Sequence, residues 1–191
     1  MAWRRRAHKL CVSVYVAISA SIALLSPAFA DQTAAELPSL FEQLRNSEEA
    51  SVAAELEQAI WAHWLTGPDA ASDQMMLQIQ TSLQLGRHDL GLLLCNQLID
   101  AYPEYAEGWN KRATILYLLN RPEESVADIR TTLELEPNHF GALSGLGLIL
   151  LRAGDAEGAL HAFEEVLSIT PLSPEAEFNA NRAREQLGTD I

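Results

Sequence analysis

From Leu37 onward the apolar residues recur at helical spacing and nowhere alternate as a half-buried strand would. Pro38 suits a first helical position, and Leu40, Phe41 and Leu44 make a short amphipathic helix. Ser47 is expected to cap a second helix whose stripe is Val52, Leu56, Ile60, Trp61, Trp64 and Leu65. Thr66-Gly67-Pro68 ends it, with Gly67 available for a left-handed cap. Met75, Ile79 and Ser82 mark the next helix, and Leu90, Leu94, Leu98 and Ile99 the one after. Helices are then predicted at 106–120, 122–135, 140–153 and 156–169, with Asn138 and Asp155 as N-caps and Gly86, Asn120 and Gly154 in the inter-helix turns. A polar last helix opens at Ser173-Pro174-Glu175 and closes at Leu187-Gly188.

Part of this pattern is written twice. Trp109, Ala113, Leu116, Asn120, Ser125, Ile129, Leu135 and Pro137 are followed 34 residues later by Leu143, Gly147, Leu150, Gly154, Ala159, Phe163, Ile169 and Pro171. Pro103 stands one period before Pro137. A fixed period of this size predicts stacked helix–turn–helix units, each burying its faces against its neighbours. The units fall at 72–105, 106–139 and 140–173, with 174–188 as a capping helix. Residues 31–71 form a hairpin in near register, expected to be a degenerate or capping repeat ahead of them.

The first thirty residues stand apart. Arg4-Arg5-Arg6 and Lys9 precede an apolar run from Leu10 to Leu25, and Ala28-Phe29-Ala30 supplies small residues for cleavage. This order reads as a cleavable export signal over 1–30, with a mature chain starting at Asp31 in the periplasm or secreted; an uncleaved anchor is the alternative. Losing those four basic residues takes the formal charge from −13 to −17. Such acidity disfavours nucleic acid and anionic lipid, and gives a weak preference for basic partners. Cys95 is then the one remaining cysteine, which rules out an internal disulfide in the mature chain.

The 34-residue period resembles the tetratricopeptide repeat. Counting from Ser72, Ala106 and Phe140, the large residue at position 4 is Met75, Trp109 and Leu143. The small residue at position 8 is Ala113 and Gly147, with Ile79 departing from the pattern in the first unit. Position 20 is Gly91, Ser125 and Ala159, position 24 is Cys95, Ile129 and Phe163, and position 32 is Pro103, Pro137 and Pro171. The stretches 107–113 and 139–147 also look like small exported members of this family from alphaproteobacteria. The resemblance implies an all-α, right-handed superhelix with a concave groove lined by the first helix of each pair. Carried over residue by residue, the groove positions include Asp73, Met76 and Gln80; Glu107, Asn110, Thr114 and Tyr117; and Ser144, Leu148 and Leu151. Lys111, the single lysine after the signal, sits beside Asn110 as an isolated anchor for a carboxylate. The clamp that grips chaperone C-termini is not expected, because the third unit offers only Gly141, Ser144 and Gly145 where that clamp needs basic and amide side chains.

Catalytic patterns are sparse. His88 and Cys95 share a helical face but occupy packing slots. Glu157, His161 and Glu165 form a row that suits a solvated stripe better than a metal. No H-E-x-x-H, G-x-S-x-G or phosphate-loop motif occurs. No cofactor or metal is therefore expected, and no enzyme activity. The function expected is that of an exported adaptor holding a peptide or helix of a partner protein in its groove. The alternative is self-association through Trp61 and Trp64 in an envelope assembly.

Overall fold

The computed structural model describes residues 35–188. The export signal and its cleavage site lie outside the described residues. Among those residues there are helices and turns and no strand. In order they are α1 (Leu37–Arg45), α2 (Ala50–Leu65), α3 (Ala70–Gln84), α4 (His88–Ala101), α5 (Ala106–Leu118), α6 (Pro122–Leu135), α7 (Phe140–Ala153), α8 (Ala156–Ile169) and α9 (Pro174–Gln186). None is long and apolar enough to cross a membrane.

Three helix pairs, α3/α4, α5/α6 and α7/α8, stack in sequence, and α9 closes the stack against α7 and α8. Small residues set the approach within each pair. Ser125 and Ala113 are buried where α5 meets α6, and the Ser125 hydroxyl donates to the Ala113 carbonyl at 2.7 Å. In the next pair Gly147 faces Phe163 so closely that a Cβ would stand 2.6 Å from the ring. Arg112 ties α5 to α6 by a bidentate pair with Asp128, at 2.7 and 2.8 Å, while its guanidinium lies over Trp109. The turns inside the pairs reverse the chain through left-handed residues, Gly86, Asn120 and Gly154.

Three local expectations change. Gly67 is not left-handed: a Cβ there would fall 2.3 Å from the Ser72 hydroxyl, so close packing demands the glycine. The N-cap of α2 is Glu49, and Ser47 instead donates to the Glu49 carbonyl. The N-cap of α7 is His139, whose Nδ1 accepts from the Ala142 amide; Asn138 receives a hydrogen bond from Arg45 of α1. Asp155 caps α8 as its position predicts. Asp69, unforeseen, caps α3 in a reciprocal box with Ser72.

The α1–α2 hairpin folds back across the stack, away from the front of α3. Leu37, Phe41, Leu44, Ile60 and Trp64 share one core with Phe140, Leu143, Val166, Ile169 and Ala176. Thus α1 rests on the C-terminal half of α8, and α2 lies over the starts of α5 and α7. The indole of Trp64 stacks on His139 and its carbonyl accepts from the Tyr105 hydroxyl at 2.9 Å. The outward side of α3/α4, where a preceding unit would sit, keeps Leu77, Leu90 and Leu93 exposed.

Candidate protein-binding groove

The side of the stack lined by α5 and α7 is closed at one end by α2, leaving a cavity of about 400 Å³. Its floor is the middle of α5 and α7, its walls are α2 and the end of α8, and the start of α9 forms its lip. The glycines at 141 and 145 let α7 lie low: a Cβ on Gly141 would meet the Trp61 ring at 2.6 Å. Volume and mixed lining match a site for part of a peptide.

Six residues expected in the groove line this cavity: Asn110, Lys111, Thr114, Tyr117, Ser144 and Leu148. The others do not. Met76 is 2% exposed and belongs to the core between the first two pairs. Leu151 packs against Ala180 and Ala183 of α9. Asp73 accepts from the Gly67 amide and so holds the α2–α3 connection, and Gln80 lies off the cavity. The first unit is thus outside the site, since none of its residues lines the cavity.

Glu107 stands at the expected position but is buried beneath α2, at 1% exposure. Its Oε2 accepts from Asn110 at 2.8 Å and from His139 at 2.9 Å, and Oε1 lies 2.7 Å from Lys111 Nζ. Since His139 Nδ1 accepts from the Ala142 amide, Nε2 is the ring nitrogen that donates to Glu107. Burial pushes the Glu107 carboxyl up, but the charge of Lys111 and the His139 hydrogen bond outweigh it and hold it below the usual range. Lys111 is therefore not a free anchor for a carboxylate; its charge answers Glu107, and it lies over the Trp61 ring.

The sequence pattern gave no sign of the walls supplied from elsewhere: Glu57 and Trp61 of α2, Thr170 after α8, and Ser173 and Glu175 at α9. The sequence singles out Trp61 only together with Trp64, as a surface for self-association. Trp61 meets Trp64, His139 and Phe140 edge to face, and Trp64 stacks on His139. Trp64 is fully buried, whereas Trp61 stays half-buried at the wall of the cavity.

Other candidates resolve as packing or surface. Cys95 is wholly buried, and burial raises its thiol to about 12. His161 and Glu165 meet at 3.4 Å on an exposed face, and among the described residues no three potential ligands group around a metal position.

Comparison with known proteins fits this architecture. Residues 110–174 match the family described as tetratricopeptide repeat. A TPR repeat-containing protein of Rhizobium etli is 32% identical over 151 residues, spanning 79% of this chain and 74% of its own. Among solved structures, the first tetratricopeptide domain of Spaghetti bound to an HSP90 peptide aligns with a TM-score of 0.59 at 19% identity, covering 62% of this chain and 94% of that one. The MamA protein aligns at 0.58 and 14% identity, covering 80% and 84%. At these identities the two structures speak for the fold alone.

Proposed function

Because the chain belongs to the tetratricopeptide repeat family, we propose that it is a non-catalytic adaptor that holds a segment of a partner protein in the cavity between α2, α5, α7 and α9. The observation that carries this reading is the convergence of Asn110, Thr114, Tyr117, Ser144 and Leu148 on one open space. They combine hydrogen-bonding groups with apolar surface, as peptide recognition requires. Neighbours of the same fold include a domain bound to an HSP90 peptide, which supports a peptide as ligand. The dead end made by α2 favours a chain end or a projecting side chain over a peptide running the whole groove. The pattern of residues 1–30, read as a cleavable export signal, supports a place for this work in the periplasm or outside the cell.

The test fills the cavity. Ser144→Arg combined with Leu148→Arg places two long cations in it at half-buried positions of α7, of which Leu148 also borders the core shared with α8 and α9. Partners recovered from a periplasmic extract by the wild-type protein are expected to be lost with this variant at unchanged circular dichroism. Equal recovery by both proteins ends the groove reading. Sequencing the amino terminus of protein from the periplasmic fraction is expected to begin at Asp31.

A further inference from the structure

Two carboxylates face the cavity and no basic side chain answers either. Glu57, in the middle of α2, is half-buried with no hydrogen bond or ion pair among the described residues. Burial alone holds its carboxyl above the usual range, so no neighbouring cation compensates it. Glu175, in the first turn of α9, also lines the cavity and is exposed. An acid there is favourable at a helix N-terminus by itself. That account does not extend to Glu57, which sits far from either end of its helix. The cavity does contain one cation, Lys111, but its ammonium is 2.7 Å from the buried Glu107 carboxylate and already neutralises it.

The rest of the lining is short, polar or apolar: Thr114, Ser144, Leu148, Ile149 and Phe140 among others. An acidic ligand would meet two unpaired carboxylates at partly screened distance, where like charges repel. A neutral ligand would bury Glu57 further without a partner, which costs free energy. A cationic side chain lays its methylene stem along the apolar floor and brings its head to the carboxylates.

We infer that the cavity is a receptor for a lysine or arginine side chain of a partner peptide, held between Glu57 and Glu175. This rests on the groove reading above and adds the chemistry of its ligand. The site is one that the family pattern leaves unmarked, since Glu57 comes from the hairpin and Glu175 from the cap.

Panning a random heptapeptide display library against the purified protein tests it. Peptides carrying Lys or Arg at one fixed position are expected to dominate. Their affinity is expected to fall at least tenfold on the Glu57→Gln, Glu175→Gln protein. It should stay within twofold on Glu134→Gln, Glu157→Gln, which removes the same charge from exposed sites outside the cavity. Enriched peptides without a fixed cation overturn the inference. So does equal loss on both paired variants, which would mean general attraction to an acidic chain. In either case loss of binding on Leu148→Arg keeps the groove reading alive, because it locates the peptide in the cavity whatever its charge. If binding survives Leu148→Arg, or no peptide is enriched, the groove reading falls and takes the cationic ligand with it.

Discussion

The indole of Trp64 lies flat on the imidazole of His139, with centroids 4.0 Å apart and planes 10° from parallel. One residue comes from the hairpin and the other caps α7, so this contact fixes where the hairpin sits on the stack. The same imidazole donates to Glu107 beneath it, which joins the docking of α2 to the start of α5.

Trp64→Ala should lower the unfolding free energy in urea by about 3–5 kcal/mol, the cost of removing a large buried aromatic. Trp64→Phe should cost clearly less. The indole Nε1 is buried with no acceptor among the described residues, so phenylalanine keeps much of the packing and removes an unsatisfied donor. Equal losses for the two variants would refute this account of the contact.

Glu107 gives stability a defined dependence on acid. Its carboxyl is held below the ordinary range when folded, so its contribution is complete above the unfolded value of about 4.3 and is lost as pH falls through the folded value. Glu107→Gln should cost about 2–3 kcal/mol at neutral pH. That is less than the ~3–5 kcal/mol for a fully buried pair, because Lys111 reaches solvent in part. The penalty should shrink as the pH falls below the unfolded value, toward the point where the folded carboxyl takes up a proton. Urea titrations of both proteins between pH 3 and pH 7 measure it. A difference that does not change with pH would contradict the ionised network.

Gly147→Ala should destabilise despite gaining helix propensity of up to about 1 kcal/mol. The new methyl would stand 2.6 Å from a fully buried Phe163 ring, and overpacking of this kind costs about 1–3 kcal/mol. Adding Phe163→Leu should make the alanine nearly neutral, giving a coupling of about 1 kcal/mol in the double-mutant cycle. Ala113→Trp, at the equivalent position in the preceding pair, should be worse still. An unchanged melting temperature there would count against the repeat register.

Cys95 should be inert. Burial raises its thiol to about 12, and it is not exposed to solvent. In a Cys11→Ser chain, where it is the only thiol, a disulfide reagent should react at the rate of unfolding and accelerate to completion in denaturant. Rapid native reaction would show that the core between the first two pairs opens.

The repeat was legible along the chain because its causes are local and periodic. Small residues at Ala113, Gly147 and Ser125 and left-handed turns at Asn120 and Gly154 recur wherever two helices must approach and reverse. Most boundaries of α5 to α8 followed from that period and its turn residues. Of the expected groove residues of α5 and α7, Asn110, Lys111, Thr114, Tyr117, Ser144 and Leu148 also line the cavity, since helical phase determines which side chains share a face, while Glu107 and Leu151 are buried. The position of α1 and α2 lay beyond such reasoning. An apolar stripe such as Ile60, Trp61 and Trp64 states that a helix must be buried without stating against what. Only the three-dimensional fold, through His139, Phe140 and the Tyr105 hydroxyl, chose the side of the stack over its end. That choice buried Glu107, committed Lys111 to it, and brought Glu57 to the wall of the site. Sequence determined the helices and their period; long-range packing decided which groove positions remained open and which charges they face.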